Sequence, residues 1–411
     1  MTAMSAPDPG PRAALSQLLD RLRSGRRYEI GFPGATDLRF DELAPLLTGE
    51  LLNNVGDPWE DGHGLSHTKD IERRVVHLVA DLLRAPAQRW GYVTGGSTEA
   101  TLHTMAVARR RYPDLVVYTS TAAHYSVPKA AGLLQVPLVL VDARPTGHLD
   151  LDALGRALAV NGSRPALVVA TAGTTMSEAV DDVAGITRIC DGLGIDRRWV
   201  HVDAALSGIP LALLPEAVRP PIDFAAGATS IGVSGHKFLG TGTPCGIVLH
   251  AEHPDPAGTE VSYIGSCDTT LTGSRSGHTP LLLWWALTSL GIEGHRRRAE
   301  ASRQLASYAQ DRLRQAGWTA TRNPHAFTVV IEGVPDCVAD KWHLARDADK
   351  AHIICMPGVE WDQVDEFLAD LDAARKGLLH GARPHCRVLP HPVPASPSKA
   401  GAACPRGAVC A

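Results

Sequence analysis

The residues best suited to chemistry in this 411-residue chain are found in Ser234-Gly235-His236-Lys237, set between the apolar run Thr229 to Val233 and a glycine-rich turn from Gly240 to Gly246. A lysine at the end of a buried strand can hold an aldehyde cofactor as a Schiff base. Taken alone, a lysine in a turn is more often a solvated charge, so the rest of the sequence has to decide. His201-Val202-Asp203-Ala204-Ala205 places a carboxylate at the end of another β run, the edge at which open α/β sheets bind ligands. A carboxylate there keeps a pyridine nitrogen protonated; its ordinary alternative is a helix N-cap. Thr94-Gly95-Gly96-Ser97-Thr98-Glu99 opens a predicted helix, where glycine backbone, unpaired N–H groups and the Ser97 and Thr98 hydroxyls suit a phosphate, although plain capping has the same look. Ser234 and His236 are candidates to complete that phosphate site. His124 follows a further β run and can stack on a flat ring, and Thr175 can reach a ring hydroxyl. Aldehyde, pyridine nitrogen, phosphate and ring hydroxyl together describe pyridoxal phosphate.

These residues need a sheet to bring them together, and the pattern provides one. Apolar runs at Leu115 to Tyr118, Leu138 to Val141, Leu167 to Thr171, Trp199 to Val202, Thr229 to Val233 and Gly246 to Leu249 read as strands. Helices are predicted over Thr98 to Arg111, Val127 to Leu134, Leu151 to Val160 and Asp182 to Leu193, after a first one marked by Ile71, Val75, Leu78, Val79 and Leu82. Such alternation implies an α/β fold with a mainly parallel sheet covered on both faces. Residues 1–50 read as an N-terminal segment and 51–290 as a large cofactor-binding domain, with the chain from about Leu15 to Gly62 irregular with short helical pieces. One long helix is expected from Pro280 to about Gln315. Residues 291–378 read as a small α/β domain with strands at Thr328 to Ile331 and His352 to Met356 and a closing helix from Trp361 to Leu379. The tail, 379–411, is rich in proline and alanine without apolar periodicity and reads as disordered.

Composition narrows the partners. With 44% hydrophobic residues, 20% charged residues and a formal net charge of -4, the chain lacks the basic excess of a nucleic-acid binder. No run approaches the roughly 18 apolar residues of a spanning helix, and no signal peptide is visible, so a cytoplasmic location is expected. The eight cysteines form no CxxC pair and read as reduced thiols. His63 and His67 are spaced for a metal only in a helix; Asp61-Gly62 and Gly64 put them in a loop, so no metal is expected.

Six motifs in order carry a family resemblance: Thr94 to Glu99, His124 to Lys129, Gly173-Thr174-Thr175 with Asp181-Asp182, His201 to Gly208, Val233 to Phe238 and Thr272 to His278. Over Leu52 to Leu371 the chain resembles the pyridoxal-phosphate-dependent group II amino acid decarboxylases, with the nearest likeness to bacterial histidine decarboxylases and plant serine decarboxylases. The resemblance implies the aspartate-aminotransferase-like fold, fold type I. It implies Lys237 as the Schiff-base lysine, Asp203 beside the pyridinium, and the ring between His124 and Ala205. It assigns the phosphate to Gly96, Ser97, Thr98, Ser234 and His236, with Ser274 added from a second copy across an obligate homodimer that shares its active sites. Tyr263 or Lys237 would return the proton after CO2 leaves. Relatives of histidine or serine type carry an asparagine before the phosphate glycines and glycine-asparagine after the glutamate. Here Thr94-Gly95 and Ala100-Thr101 stand instead, which points to a difference on the substrate side. Candidate substrate contacts are Asn54, Asp57 and His63, with the partner subunit's Tyr263 and the partner subunit's Ser266. The expected reaction is decarboxylation of L-histidine to histamine. The rivals are L-serine giving ethanolamine, another small or branched amino acid, an aldolase or aminotransferase on the same scaffold, and a non-enzymatic binding subunit.

Overall fold

In the computed structural model, which describes residues 10–254 and 259–377, the β runs assemble into one seven-stranded sheet. Its strands are β1 (Trp90–Thr94), β2 (Val116–Ser120), β3 (Leu138–Val141), β4 (Ala166–Thr171), β5 (Arg198–Asp203), β6 (Ser230–Ser234) and β7 (Gly246–His250), in the order β1-β7-β6-β5-β4-β2-β3. β7 runs antiparallel to both its neighbours, β1 and β6, and the remaining pairs are parallel. All strands except β7 therefore end at one edge, which receives Thr94, Ser120, Thr171, Asp203 and Ser234. β1 escaped the sequence reading because Trp90-Gly91-Tyr92-Val93-Thr94 is short and broken by a glycine. A strand buried along its whole length, such as β4, is a nearly continuous apolar run because helices cover both faces.

Helices Ser97–Arg111, Ser126–Leu133, Leu151–Val160 and Val183–Gly192 fall where the periodicity puts them. The last two start at aspartate caps: Asp150 accepts from the N–H groups of Asp152 and Ala153, and Asp182 from that of Gly185. Two expectations are corrected. The long helix from Pro280 is two helices, His278–Thr288 and Gly291–Gln315, because Gly291 takes a left-handed φ of 61° at the joint. The irregular N-terminal stretch contains a 15-residue helix, Pro11–Gly25, whose proline starts it and none of whose residues is buried. Leu15, Leu18, Leu19 and Leu22 share one side of it, all exposed.

A second, antiparallel sheet of four strands (Ala320–Thr321, Thr328–Glu332, Lys350–Ile354, Arg346–Asp347 in spatial order) packs with helices Gly291–Gln315 and Trp361–Arg375. Trp342, Phe367, Leu371 and Val329 fill its core, and Ile30 joins them from the N-terminal stretch. The Ile354 N–H donates to the Ile30 carbonyl at 2.7 Å, so this part of residues 1–50 is built into the smaller unit rather than standing apart. The expected disordered tail, 379–411, lies outside the described residues.

Between β7 and helix Ser97–Arg111 sits a cluster of buried histidines. His250 Nε2 is 3.2 Å from His103 Nδ1, and His201 Nδ1 is 2.9 Å from Ser230 Oγ. Burial pushes His103 and His201 down to about 4, and His250 further below the ordinary value of 6.5. Groups whose folded pKa is depressed stabilise the fold fully above their unfolded pKa and lose that contribution as pH falls toward the folded one. Stability is therefore expected to fall by several kcal/mol between pH 6.5 and 4, at about 1.4 kcal/mol per unit for each group. Asp181, pushed up to about 6 by burial, and Glu178, also raised by burial, oppose this. The check is Tm against pH: His201→Asn should flatten the acid limb, and an unchanged slope would refute the assignment.

Candidate active site

Lys237 stands three residues beyond Ser234, inside the turn that follows β6, and its carbonyl accepts from the N–H groups of Ala35 and Gly240, both at 3.0 Å. Gly235 makes the turn possible. A Cβ there would lie 2.5 Å from Leu283 Cδ2 and 2.6 Å from Cys245 Sγ. Phe238 and Leu239, both buried, anchor the far side of the lysine. The Lys237 ammonium is half-buried, and among the described residues nothing accepts a hydrogen bond from it. Burial lowers its pKa, with Asp203 and Glu178 acting in the opposite sense.

Asp203 ends β5 and is buried; its Oδ1 accepts from Ser97 Oγ at 3.0 Å and from the Ala205 N–H at 3.2 Å. The Ser97 hydroxyl thus donates to Asp203, while the Ser97 backbone N–H stays open toward the cavity. The start of helix Ser97–Arg111 has no side-chain cap, and the N–H groups of Ser97 and Thr98 have no partner among the described residues. Glu99 ties the glycine loop down, accepting from the Gly95 N–H at 2.6 Å and from the Tyr92 hydroxyl at 3.0 Å. The helix can approach β6 because Gly232 faces Ala100, where a Cβ would be 3.0 Å from the alanine's own.

His124 is half-buried, and its Nδ1 accepts from the Ser126 N–H at 3.2 Å, which leaves the proton of the neutral ring on Nε2. Burial lowers its pKa, Lys237 and Lys129 add to this, and Asp203 opposes. His236 Nδ1 meets the backbone of Cys245, with its pKa likewise lowered by burial.

A cavity of about 1050 Å³ collects these groups. Gly96, Ser97, Thr98, His124, Thr175, Asp203, Ala205, Ser234, His236 and Lys237 all line it. The residues present fit pyridoxal phosphate: an unpaired amine for its aldehyde, a buried carboxylate for its ring nitrogen, and open helix N–H groups for its phosphate. Two expected members are elsewhere. Tyr263 is 83% exposed and outside the cavity, and Ser274 accepts from Asn53 Nδ2 in an adjoining cavity of about 630 Å³. Within one chain neither reaches Lys237.

Among the expected substrate contacts, Asn54, Asp57 and His63 do not line this cavity. Asn54 and Asp57 are buried in networks of their own, Asn54 with Glu72 and Thr68, Asp57 with Trp59, Trp90, Thr269 and the Ser266 hydroxyl. His63 is exposed. Gly95 lines the cavity, whereas Thr94, Ala100 and Thr101 do not. The wall opposite Lys237 comes instead from Glu29, Phe32, His343, Leu344 and His352. The sequence reading missed these residues because they belong to segments taken as plain strand or irregular chain. The one available signal was Gly31-Phe32-Pro33-Gly34, an aromatic residue inside a turn sequence. Among the described residues no helix is long and apolar enough to cross a membrane, and no cluster of metal-binding side chains occurs.

The comparisons with known proteins agree with this geometry. Residues 43–320 match the pyridoxal-dependent decarboxylase conserved domain. The chain is similar to a histidine decarboxylase of Mesorhizobium japonicum, 40% identical over 365 residues that cover 88% of this chain and 97% of that protein. It is also similar to serine decarboxylase 2 of Oryza sativa subsp. japonica, 35% identical over 89% of this chain and 79% of that one. Among solved structures, an L-methionine decarboxylase from Streptomyces sp. 590 superposes with a TM-score of 0.79 at 25% identity, covering 90% of this chain and 97% of that one.

Proposed function

Since the chain belongs to the pyridoxal-dependent decarboxylase family, we propose that it converts L-histidine to histamine and CO2. The observation that carries decarboxylation is the half-buried, unpaired Lys237 amine in one cavity with Asp203 and the open start of helix Ser97–Arg111. Histidine is supported by the match to a histidine decarboxylase along 97% of that protein's length, and by a wall in which Glu29 and His343 offer polar partners to an imidazole. L-serine is the second reading, favoured by the rice relatives.

Bound pyridoxal phosphate supplies an electron sink conjugated to the substrate α-carbon. Lys237 would hold the cofactor through its aldehyde. Asp203, fixed by Ser97 and Ala205, keeps a negative charge beside the ring nitrogen. Thr98, Ser234 and His236, with the backbone of Gly96 and Ser97, would hold the phosphate, and Thr175 would serve the ring hydroxyl. His124 and Ala205 would flank the ring, and the Nε2–H of His124 would be available to a substrate carboxylate. The freed Lys237 amine, its pKa lowered by burial, carries a proton back to the α-carbon.

The same reading includes a homodimer in which the partner subunit's Ser274 completes the phosphate site and the partner subunit's Tyr263 approaches the substrate. The exposed leucine face of helix Pro11–Gly25 and the exposed Leu51, Leu65 and Tyr263 support it. It also includes a large domain over 51–290, a small one over 291–378 with the cavity between them, and a cytoplasmic location, which the buried free thiols Cys190, Cys245 and Cys355 suit. The test is CO2 release by the holoenzyme from a panel of histidine, serine, valine and leucine. Histidine is expected to give the highest kcat/KM; preference for serine selects the second reading. No CO2 from any of them, or keto acid or aldehyde products, overturns decarboxylation.

A further inference from the structure

The loop after β4 contains a residue whose placement the proposed chemistry does not account for. Glu178 has a φ of 52°, a left-handed backbone that a non-glycine residue rarely adopts, and its side chain is buried. Its Oε1 accepts from Ser207 Oγ at 2.9 Å. Its Oε2 accepts from the N–H groups of Phe327 and Thr328, both at 2.9 Å, and from Thr328 Oγ1 at 2.7 Å. Four donors converge on two oxygens, the demand of an ionised carboxylate. Burial raises its pKa, and these four bonds act against that.

The bonds tie three segments together. Glu178 belongs to the loop that presents Thr175, Ser207 to the turn that follows Asp203 and Ala205, and Thr328 opens a strand of the small antiparallel sheet. Neighbouring contacts bridge the same gap. His352 Nδ1 lies 3.1 Å from the Met176 carbonyl, and Asn323 Nδ2 donates to the carbonyls of Ser177 and Thr146 at 2.9 and 3.0 Å. Thr175, Ala205, Lys237 and His352 all line the cavity, whereas Glu178 does not. We propose that Glu178 is a positioning residue that locks the small sheet onto the cavity wall, setting the distance between His352 on one side and Thr175 and Lys237 on the other. Its charge also acts on Lys237, which Asp203, His124 and His236 face as well, while Arg303 faces Glu178 itself. The inference rests on the decarboxylase reading for its kinetic part alone.

The test compares holoenzyme of the parent with Glu178→Gln, Glu178→Gly and Thr328→Val. Glutamine keeps the shape but sets an amide N–H₂ against donors; glycine relieves the left-handed backbone and removes the lock. Both variants are expected to keep the visible absorbance of lysine-bound cofactor. Both should raise KM by about tenfold to a hundredfold, the range of a lost hydrogen bond to a charge, with a smaller change in kcat. The pH midpoint of that absorbance should move down, because a negative charge that favours protonated Lys237 has gone. Thr328→Val removes one donor, and a several-fold rise in KM is expected from it; it carries the test if the Glu178 variants do not fold. In a double variant, Glu178→Gln with Thr328→Val should be little worse than Glu178→Gln alone. Parental KM and midpoint in the variants, with or without a lower Tm, would reduce Glu178 to a structural brace and overturn the inference. A parent that releases no CO2 overturns the decarboxylase reading instead, and the absorbance midpoint then decides on Glu178 alone.

Discussion

Replacing Lys237 with alanine is expected to cut CO2 release by about 10³-fold or more, since the change removes both the covalent anchor and a proton carrier, and proton transfer alone is worth about 10²–10⁴. The visible absorbance of lysine-bound cofactor should disappear with it. The reason lies in the environment of the amine. Lys237 is half-buried with no hydrogen-bond acceptor among the described residues, so burial lowers its pKa and enlarges the neutral, nucleophilic fraction. Cofactor should still associate without the covalent link, because Asp203 and the open helix start are untouched. Lys237→Arg should not rescue the loss, since a guanidinium stays protonated. Steady-state CO2 release and an absorbance spectrum check both parts. Turnover within tenfold of the parent, or a surviving band, would remove Lys237 from its role.

Asp203→Asn is expected to lower kcat by about 10²–10³-fold, the range found when one preorganised electrostatic partner of a transition state is removed. Asparagine is nearly isosteric, and its carbonyl oxygen can still accept from Ser97 Oγ and the Ala205 N–H, so Tm should change little. What goes is the charge that holds the ring nitrogen protonated, and with it the electron sink. The effect should therefore appear in kcat more than in KM. Ser97→Ala, which leaves the carboxylate in place but frees it to rotate, should cost less. Measuring kcat, KM and Tm for both separates charge from orientation. If Asp203→Asn kept kcat within threefold, the carboxylate would be a turn cap and nothing more.

Much of the site was legible because strand ends in a parallel sheet are legible. A run of apolar residues that stops at Asp203 or Ser234 predicts where a polar group emerges, and period and punctuation supply the helices between. The exact partners were not legible. The Ser97 hydroxyl looked like a phosphate donor in its motif, and only the approach of helix Ser97–Arg111 to β5 shows that it serves Asp203. Asn54 and Asp57 looked like substrate contacts because polar residues in a turn-rich segment suggest a site; they are instead saturated by partners from other segments, such as Glu72 for Asn54 and Thr269 for Asp57. The split of the long helix at Gly291 rests on one backbone angle that composition does not encode.

What the sequence by itself determined is the chemistry: a lysine, an aspartate, a histidine and a glycine-rich helix start, each at the end of a β run, so that any parallel sheet joining those runs gathers them at one edge. Only the tertiary structure decided the opposite wall. Glu29, Phe32, His343 and His352 come from segments roughly two hundred or more residues from Lys237 or beyond it in the smaller unit, and the buried Glu178 joins that unit to the floor. Local periodicity carries no information about which distant segments meet, since their meeting is set by the packing of two separate cores. That Lys237 shares an edge with Asp203 and the glycine-rich helix start was readable from the chain; the choice of amino acid depends on neighbours in space.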